Sequence, residues 1–318
     1  NWLSATYGDG SKRVEQVALT SADEQLHSKR MSQISTDHTI ACSPELLNSW
    51  DFDVLDYDKA QLTDIFVYIF SVLNIFDEFN VPQAKFRSFL DELTGKYKDN
   101  TYHNFKHGFD VGHTVYRVVT EPNLHLTLSH LEFFSLLEAA IGHDVGHPGV
   151  NNAYLVKAKN ELAIQHNDRS PLENMHCAVI YSILGHDKTN IFAGLNDQQW
   201  RESRKLILTV VLGTDMAHHF EQIGKTNVFL ETYGDDFNRF CRGEKDSVEC
   251  LGEEKDSLFL MEICLHCADI SNPYKPFKIC ARWAELVVEE FARQGDRERS
   301  EGLEISPMMD RATIQLCN

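Results

Sequence analysis

Ser129-His130-Leu131-Glu132-Phe133-Phe134-Ser135-Leu136-Leu137-Glu138-Ala139-Ala140-Ile141-Gly142-His143-Asp144-Val145-Gly146-His147-Pro148-Gly149 holds most of what this chain says about its fold. Ser129 and Glu132 form the capping box that opens a helix. The apolar run behind them predicts that the helix is buried, and it ends on His143-Asp144. Gly146, Pro148 and Gly149 then force a turn. An imidazole and a carboxylate at the end of an apolar helix are costly to bury unless they are paired or bind a metal.

Two further strings have the same character. Upstream lies Tyr102-His103-Asn104-Phe105-Lys106-His107, with His107 at the start of a helical stretch ending near Val119. Downstream, His266-Cys267-Ala268-Asp269 ends a third apolar helix. Three helix ends converging on one point would gather His107, His143, Asp144 and Asp269. Two imidazoles and two carboxylates suit Zn²⁺, and an adjacent oxygen-rich, watered site suits Mg²⁺ or Mn²⁺, with Asp144 able to bridge the two. Each residue taken alone is as easily a cap or a satisfied core group; the set and its order make the case. His186-Asp187 lies in a polar loop and is read as a decoy. His218-His219 is read as a helix-surface feature, and Phe133, Phe134, Phe220 and Phe229 as core.

The rest of the chain is helical in pattern. Leu62, Ile65, Phe66, Ile69, Phe70 and Leu73 recur at helical spacing, and Asn80-Val81-Pro82 stops that run. Phe86, Phe89, Leu90 and Leu93 mark a helix ending at Gly95. Pro171–Leu184, a helix opened by Asn196 and Gln199, Asp256–Ile270 and Pro276–Arg293 follow. Gly234–Lys255 reads as a charged surface loop. No period-2 run stands out, so the fold class is all-α, with many helices packed as one unit. Residues 1–48 read as a polar N-terminal extension with one short helix near Asp23–Ser32, and the core starts near Trp50.

Composition narrows the partners. The 318 residues are 42% hydrophobic and carry a formal net charge of -18. Such an acidic surface disfavours nucleic acid and anionic membranes. No apolar run reaches membrane-span length; the longest, Ile65–Ile75, reads as a core helix. The eight cysteines are scattered, several within apolar helices, which favours thiols in a reducing, cytoplasmic compartment. Cys264 and Cys267 read as core cysteines.

These motifs resemble the catalytic domain of the class I 3′,5′-cyclic nucleotide phosphodiesterases. Beyond the three strings, Asn151-Asn152, Leu172-Glu173-Asn174, Gly213-Thr214-Asp215-Met216, Ser271-Asn272-Pro273, Phe291-Ala292-Arg293-Gln294-Gly295-Asp296-Arg297-Glu298 and Ser306-Pro307-Met308 occur in the family's order. The resemblance covers residues 49–318 and suggests a protozoan member of the trypanosomatid C type. It implies a single compact HD-type phosphohydrolase domain with a metal-centred pocket. It places one metal, zinc, on His107, His143, Asp144 and Asp269. The other, magnesium or manganese, would sit on Asp144 and waters held by His147, Glu173 and Thr214.

The same resemblance makes His103 the general acid, oriented by Glu173, and assigns Tyr102, Asn272, Val287 and Phe291 to the substrate pocket. Trp283, on the same helix, is either pocket or core. The implied reaction is hydrolysis of cAMP or cGMP to the 5′-monophosphate by a metal-bridging hydroxide. Gly146 departs from the family, many of whose members carry an acidic residue there; this is expected to tune local structure only. The family also grips the purine with a glutamine soon after Ser-Pro-Met. Only ten residues follow Met308, with Gln315 the sole glutamine. The domain is therefore expected to be truncated, to continue through further helices in the natural protein, and to bind nucleotide poorly when it ends at Asn318. Two rivals stay open: another HD-type phosphohydrolase acting on non-cyclic nucleotides, and a degenerate domain that binds a nucleotide without cleaving it.

Overall fold

Apolar residues at helical spacing give helices throughout, and the caps decide where each begins. The computed structural model describes residues 40–120, 128–244 and 254–314. In chain order the helices are α1 (Pro44–Leu47), α2 (Lys59–Val72), α3 (Ile75–Glu78), α4 (Gln83–Lys96), α5 (Phe105–Thr120), α6 (His130–Gly142), α7 (Asn152–Lys157), α8 (Glu161–Gln165), α9 (Pro171–Leu184), α10 (Asp197–Leu212), α11 (His219–Cys241), α12 (Glu254–Asp269) and α13 (Phe277–Ser300). Single 3₁₀ turns occur at Val54–Asp56, Met216–His218 and Asn272–Tyr274. No strand occurs among the described residues.

The capping boxes sit where the sequence puts them. The Ser129 hydroxyl accepts from the Glu132 amide while Glu132 reaches back to the Ser129 amide. Asn196 and Gln199 do the same at α10. An unforeseen third box, Asp58 with Gln61, opens α2. Each satisfies amides that the first helical turn leaves without partners.

α6 is the axis of the fold. Its residues Phe133 to Gly142 are all buried, because α5 packs on one side and α10 on another; α12 closes against both α5 and α10. Two phenylalanines of α2, Phe66 and Phe70, meet Phe109 of α5 and Phe134 of α6 edge-on. This core brings the C-terminal ends of α6 and α12 beside the N-terminal end of α5.

Several expectations are corrected. The first long helix breaks at Asn74, whose φ of 59° ends α2 before α3 begins. Gly234–Cys241 is helical rather than loop, because Phe237 and Phe240 carry the apolar stripe of α11 onward; residues 245–253 of the expected loop lie outside the described residues. α13 runs beyond Arg293 to Ser300. Phe220 is not core but 84% exposed, since the start of α11 turns that face outward. Cys264 is buried, whereas Cys267, three residues on, falls on the exposed side of α12. His219 is not merely a surface residue: its Nδ1 lies 2.9 Å from His266 Nε2. Leu47 is fully buried, so the core begins ahead of Trp50. The short helix expected near Asp23–Ser32 and the Gln315 position lie outside the described residues.

Candidate metal centre and its proton donor

The chain forms a sharp turn straight after α6. Gly146 and Gly149 have φ of 82° and 75°, a region that side chains with a Cβ disfavour. A Cβ at Gly149 would also stand 2.9 Å from Asn100 Oδ1. This conformation explains why glycine suits position 146. Asn100 in turn donates from Nδ2 to the carbonyls of His103 and His147, both at 2.8 Å, and so joins two of the three motif strings.

His107, His143, Asp144 and Asp269 offer ligand atoms that all lie within 4.8 Å of one another. His107 Nε2 is 3.1 Å from Asp269 Oδ1 and 3.3 Å from Asp144 Oδ2. His143 Nε2 is 3.3 Å from each of the same two oxygens. The orientation of His143 is fixed from behind: its Nδ1 donates to the Ala140 carbonyl at 2.8 Å, which leaves the Nε2 lone pair facing the cluster.

The electrostatics fit a cation at this point. Burial by itself would raise the carboxyls of Asp144 and Asp269, yet the His143 and His107 rings hold both well below the usual carboxylate range. Burial likewise opposes charge on His107 and His143, and the two carboxylates override it and raise both. Two buried imidazoles and two largely enclosed anions at these distances therefore ask for positive charge among them. The donor set, two nitrogens and two carboxylates, is one that zinc accepts.

Around this centre stand neutral imidazoles. His176 Nδ1 donates to the Val145 carbonyl at 2.8 Å and turns its Nε2 toward Asp144 Oδ1, 3.6 Å away. Burial lowers its pKa to about 4 and lowers that of His147 well below the ordinary value. His147 stacks on His103 with ring centroids 4.0 Å apart. Thr214 Oγ1 donates to the Val211 carbonyl at 2.8 Å at the end of α10.

His103 is placed as a proton donor would need to be, but not by the expected partner. Its Nε2 is 4.0 Å from Asp144 Oδ2, at the edge of the metal cluster. Its Nδ1 is hydrogen-bonded to Glu290 Oε1. The other oxygen of Glu290 accepts the backbone amides of Tyr102 at 2.8 Å and His103 at 3.0 Å. Glu173 instead accepts from Asn152 Nδ2 at 2.9 Å, and burial raises its carboxyl to about 7. The carboxylate that orients His103 is thus Glu290, on α13. The reason is geometric: α13 crosses the Tyr102-His103 turn, while Glu173 opens α9 beside the Asn151-Asn152 loop.

α13 runs past the Tyr102-His103 turn. Trp283, Val287, Glu290, Phe291 and Gln294 share a face at helical spacing. Trp283 is fully buried and meets Tyr102 edge-on at 5.5 Å, so it is a core residue. Val287 and Phe291 are half-buried. Gln294 Oε1 accepts the Asn151 amide at 2.9 Å and ties α13 to the segment after the Gly149 turn. Tyr102 and Asn272 meet directly, the phenol donating to Asn272 Oδ1 at 2.6 Å. His186 and Asp187 are exposed and remote from this cluster, as a decoy pair should be.

Sequence reasoning missed Glu290, His176, Asn100 and Asp110. Glu290 follows Glu289 and reads locally as part of a solvated face. Only its register with Val287 and Phe291 could have flagged it.

A family model described as 3′5′-cyclic nucleotide phosphodiesterase matches residues 102–318, more than half of the chain. A Dictyostelium discoideum 3′,5′-cyclic-nucleotide phosphodiesterase is 34% identical over 268 residues, covering 84% of this chain and 32% of its own length. A human high affinity cGMP-specific 3′,5′-cyclic phosphodiesterase is 33% identical over 270 residues, 85% of this chain and 43% of its own. The crystal structure of the phosphodiesterase domain of a Salpingoeca rosetta rhodopsin phosphodiesterase superposes with a TM-score of 0.78 at 30% identity, covering 93% of this chain and 81% of that one. The chain belongs to the 3′,5′-cyclic nucleotide phosphodiesterase family. It spans less than half the length of the curated relatives it matches.

Proposed function

We propose that residues 49–318 form a metal-dependent phosphodiesterase catalytic domain that hydrolyses purine 3′,5′-cyclic nucleotides to nucleoside 5′-monophosphates. The observation that carries this reading is the meeting of His107, His143, Asp144 and Asp269 beside a histidine, His103, that a buried carboxylate holds in place. His107, His143, Asp144 and Asp269 would hold Zn²⁺. A second ion, Mg²⁺ or Mn²⁺, would take Asp144 and waters, with His147, Glu173 and Thr214 around it. When bound, the ions would polarise the phosphoryl group and lower the pKa of a bound water toward neutrality.

The residues then divide the work. His103, with Nδ1 held by Glu290, keeps Nε2 free to protonate the departing 3′ oxygen. Asn100 fixes the two turns that carry His103 and His147. Tyr102, Asn272, Val287 and Phe291 line the cavity where the sugar and base would lie, Val287 and Phe291 giving an apolar wall. Among the described residues no helix is long and apolar enough to cross a membrane. A reducing, cytoplasmic setting is our reading of the eight scattered cysteines.

The test is turnover of cAMP and cGMP with Mg²⁺, before and after chelation, alongside the Asp269→Ala variant. Dialysed parent protein should retain about one zinc per chain at the four-ligand site, and Asp269→Ala should lose both metal and turnover. Full activity of Asp269→Ala, or of the chelated protein, would sink the assignment.

A further inference from the structure

Beside the metal cluster lies an ion pair that the reaction itself does not use. Asp110, on α5 one turn after His107, is 1% exposed, and Lys275, just beyond the 3₁₀ turn that follows α12, is 6% exposed. Lys275 Nζ bonds to Asp110 Oδ1. Asp110 Oδ2 accepts from Asn272 Nδ2 at 3.2 Å. Asn272 Oδ1 accepts the Tyr102 phenol at 2.6 Å. Tyr102 packs beside both His103 and His107, with ring centroids 4.8 and 4.6 Å away.

A buried ion pair of this kind adds little to stability, because desolvation of both groups offsets their attraction; well-packed apolar residues often do as well. What it can do is fix orientation. An asparagine amide can sit either way round in a symmetric pocket. Here it cannot. A carboxylate tied to a lysine only accepts, so it must face the Asn272 NH₂. The phenol then meets the Asn272 oxygen. One N–H and one lone pair of Asn272 are left over, in a known order, for a ligand in the cavity.

We propose that Asp110 and Lys275 are positioning residues that lock the Asn272 amide in one orientation and thereby set the affinity and selectivity for the nucleobase. This rests on the cyclic-nucleotide reading above. Neither residue takes part in phosphoryl chemistry. Asp110→Asn offers Asn272 either a donor or an acceptor and removes the lock; Lys275→Met avoids leaving a lone buried cation.

The experiment compares the full-length, metal-loaded protein with the Asp110→Asn/Lys275→Met double variant. KM and kcat are measured for cAMP and cGMP, with bis(4-nitrophenyl) phosphate as a baseless phosphodiester. The double variant should show KM for the preferred nucleotide raised roughly 10-fold, the equivalent of one oriented hydrogen bond. Its ratio of kcat/KM between the two nucleotides should move toward unity, while kcat and the baseless ester rate stay within about twofold, since only ground-state binding is lost. A folded double variant with unchanged KM and unchanged ratio overturns the proposal. If the double variant does not fold, Asp110→Asn alone, whose oxygen can stay on Lys275 Nζ while its NH₂ faces Asn272, must move the same ratio in the same direction; an unmoved ratio overturns it equally. Parent protein that cleaves the baseless ester but neither nucleotide refutes the parent reading, and this inference with it.

Discussion

Glu290→Gln is the sharpest probe of the proton-donor assignment. Burial alone would raise the Glu290 carboxyl, but hydrogen bonds from the His103 ring and from the Tyr102 and His103 amides hold it below its ordinary value. The charged form is therefore the working form. Glutamine is nearly isosteric and still offers one oxygen. Two backbone amides compete for that oxygen at 2.8 and 3.0 Å, so it should take the Oε2 position. The new NH₂ then faces His103 Nδ1. An NH₂ cannot accept from a ring N–H, so the ring is forced to leave Nδ1 bare and becomes a neutral donor at Nε2. A hydrogen bond to a charged group is worth about 1.5–3 kcal/mol. At about 1.4 kcal/mol per decade, kcat should fall by roughly 10- to 100-fold. Stability should change little, because both backbone contacts survive. The assay is kcat for a cyclic nucleotide beside kcat for a 4-nitrophenyl phosphodiester, whose leaving group needs no proton. Only the first should fall. Equal loss on both substrates, or no loss on either, would show that Glu290 does not act through His103 as the acid.

Two more outcomes concern stability. Glu138 on α6 is fully buried, with neither carboxylate oxygen hydrogen-bonded, and burial raises it from 4.5 to about 8. Between those values the folded chain holds a proton that the unfolded chain has lost. Its contribution is therefore complete below the unfolded value and drains away as pH rises through about 8. Urea unfolding should show the parent losing stability between pH 5.5 and 8.5, and Glu138→Gln losing less; parallel curves would refute the assignment. Gly295 on α13 lies so close to the returning chain that a Cβ would stand 1.8 Å from the Met309 carbonyl oxygen. Gly295→Ala should push Ser306–Met309 off the helix, lowering stability by about 1–3 kcal/mol; an unchanged melting temperature would mean that the segment is not seated there.

The helices were legible because their signals are local. Capping residues act within three positions, and the apolar stripe repeats every few. That is why the bounds of α6, α9 and α10 could be read from Ser129, Pro171 and Asn196. The four members of the His/Asp cluster were legible for a related reason: buried His and Asp at helix ends are expensive, and they occur in few places. Where a signal weakened, the reading slipped. Phe220 has the composition of a core residue but the exposure of a surface one, and the second half of α11 hides its stripe among charges.

What only the tertiary structure decided is which distant group serves which. Glu173 and Glu290 are both carboxylates near motif strings. Which of them reaches His103 depends on how α13 crosses a turn 187 residues earlier in the chain. The Lys275–Asp110–Asn272–Tyr102 chain likewise joins three segments, and each residue alone reads as an ordinary polar position. Local sequence sets backbone conformation and the price of burial. The partner of a buried charge is set by packing between segments that share no local code.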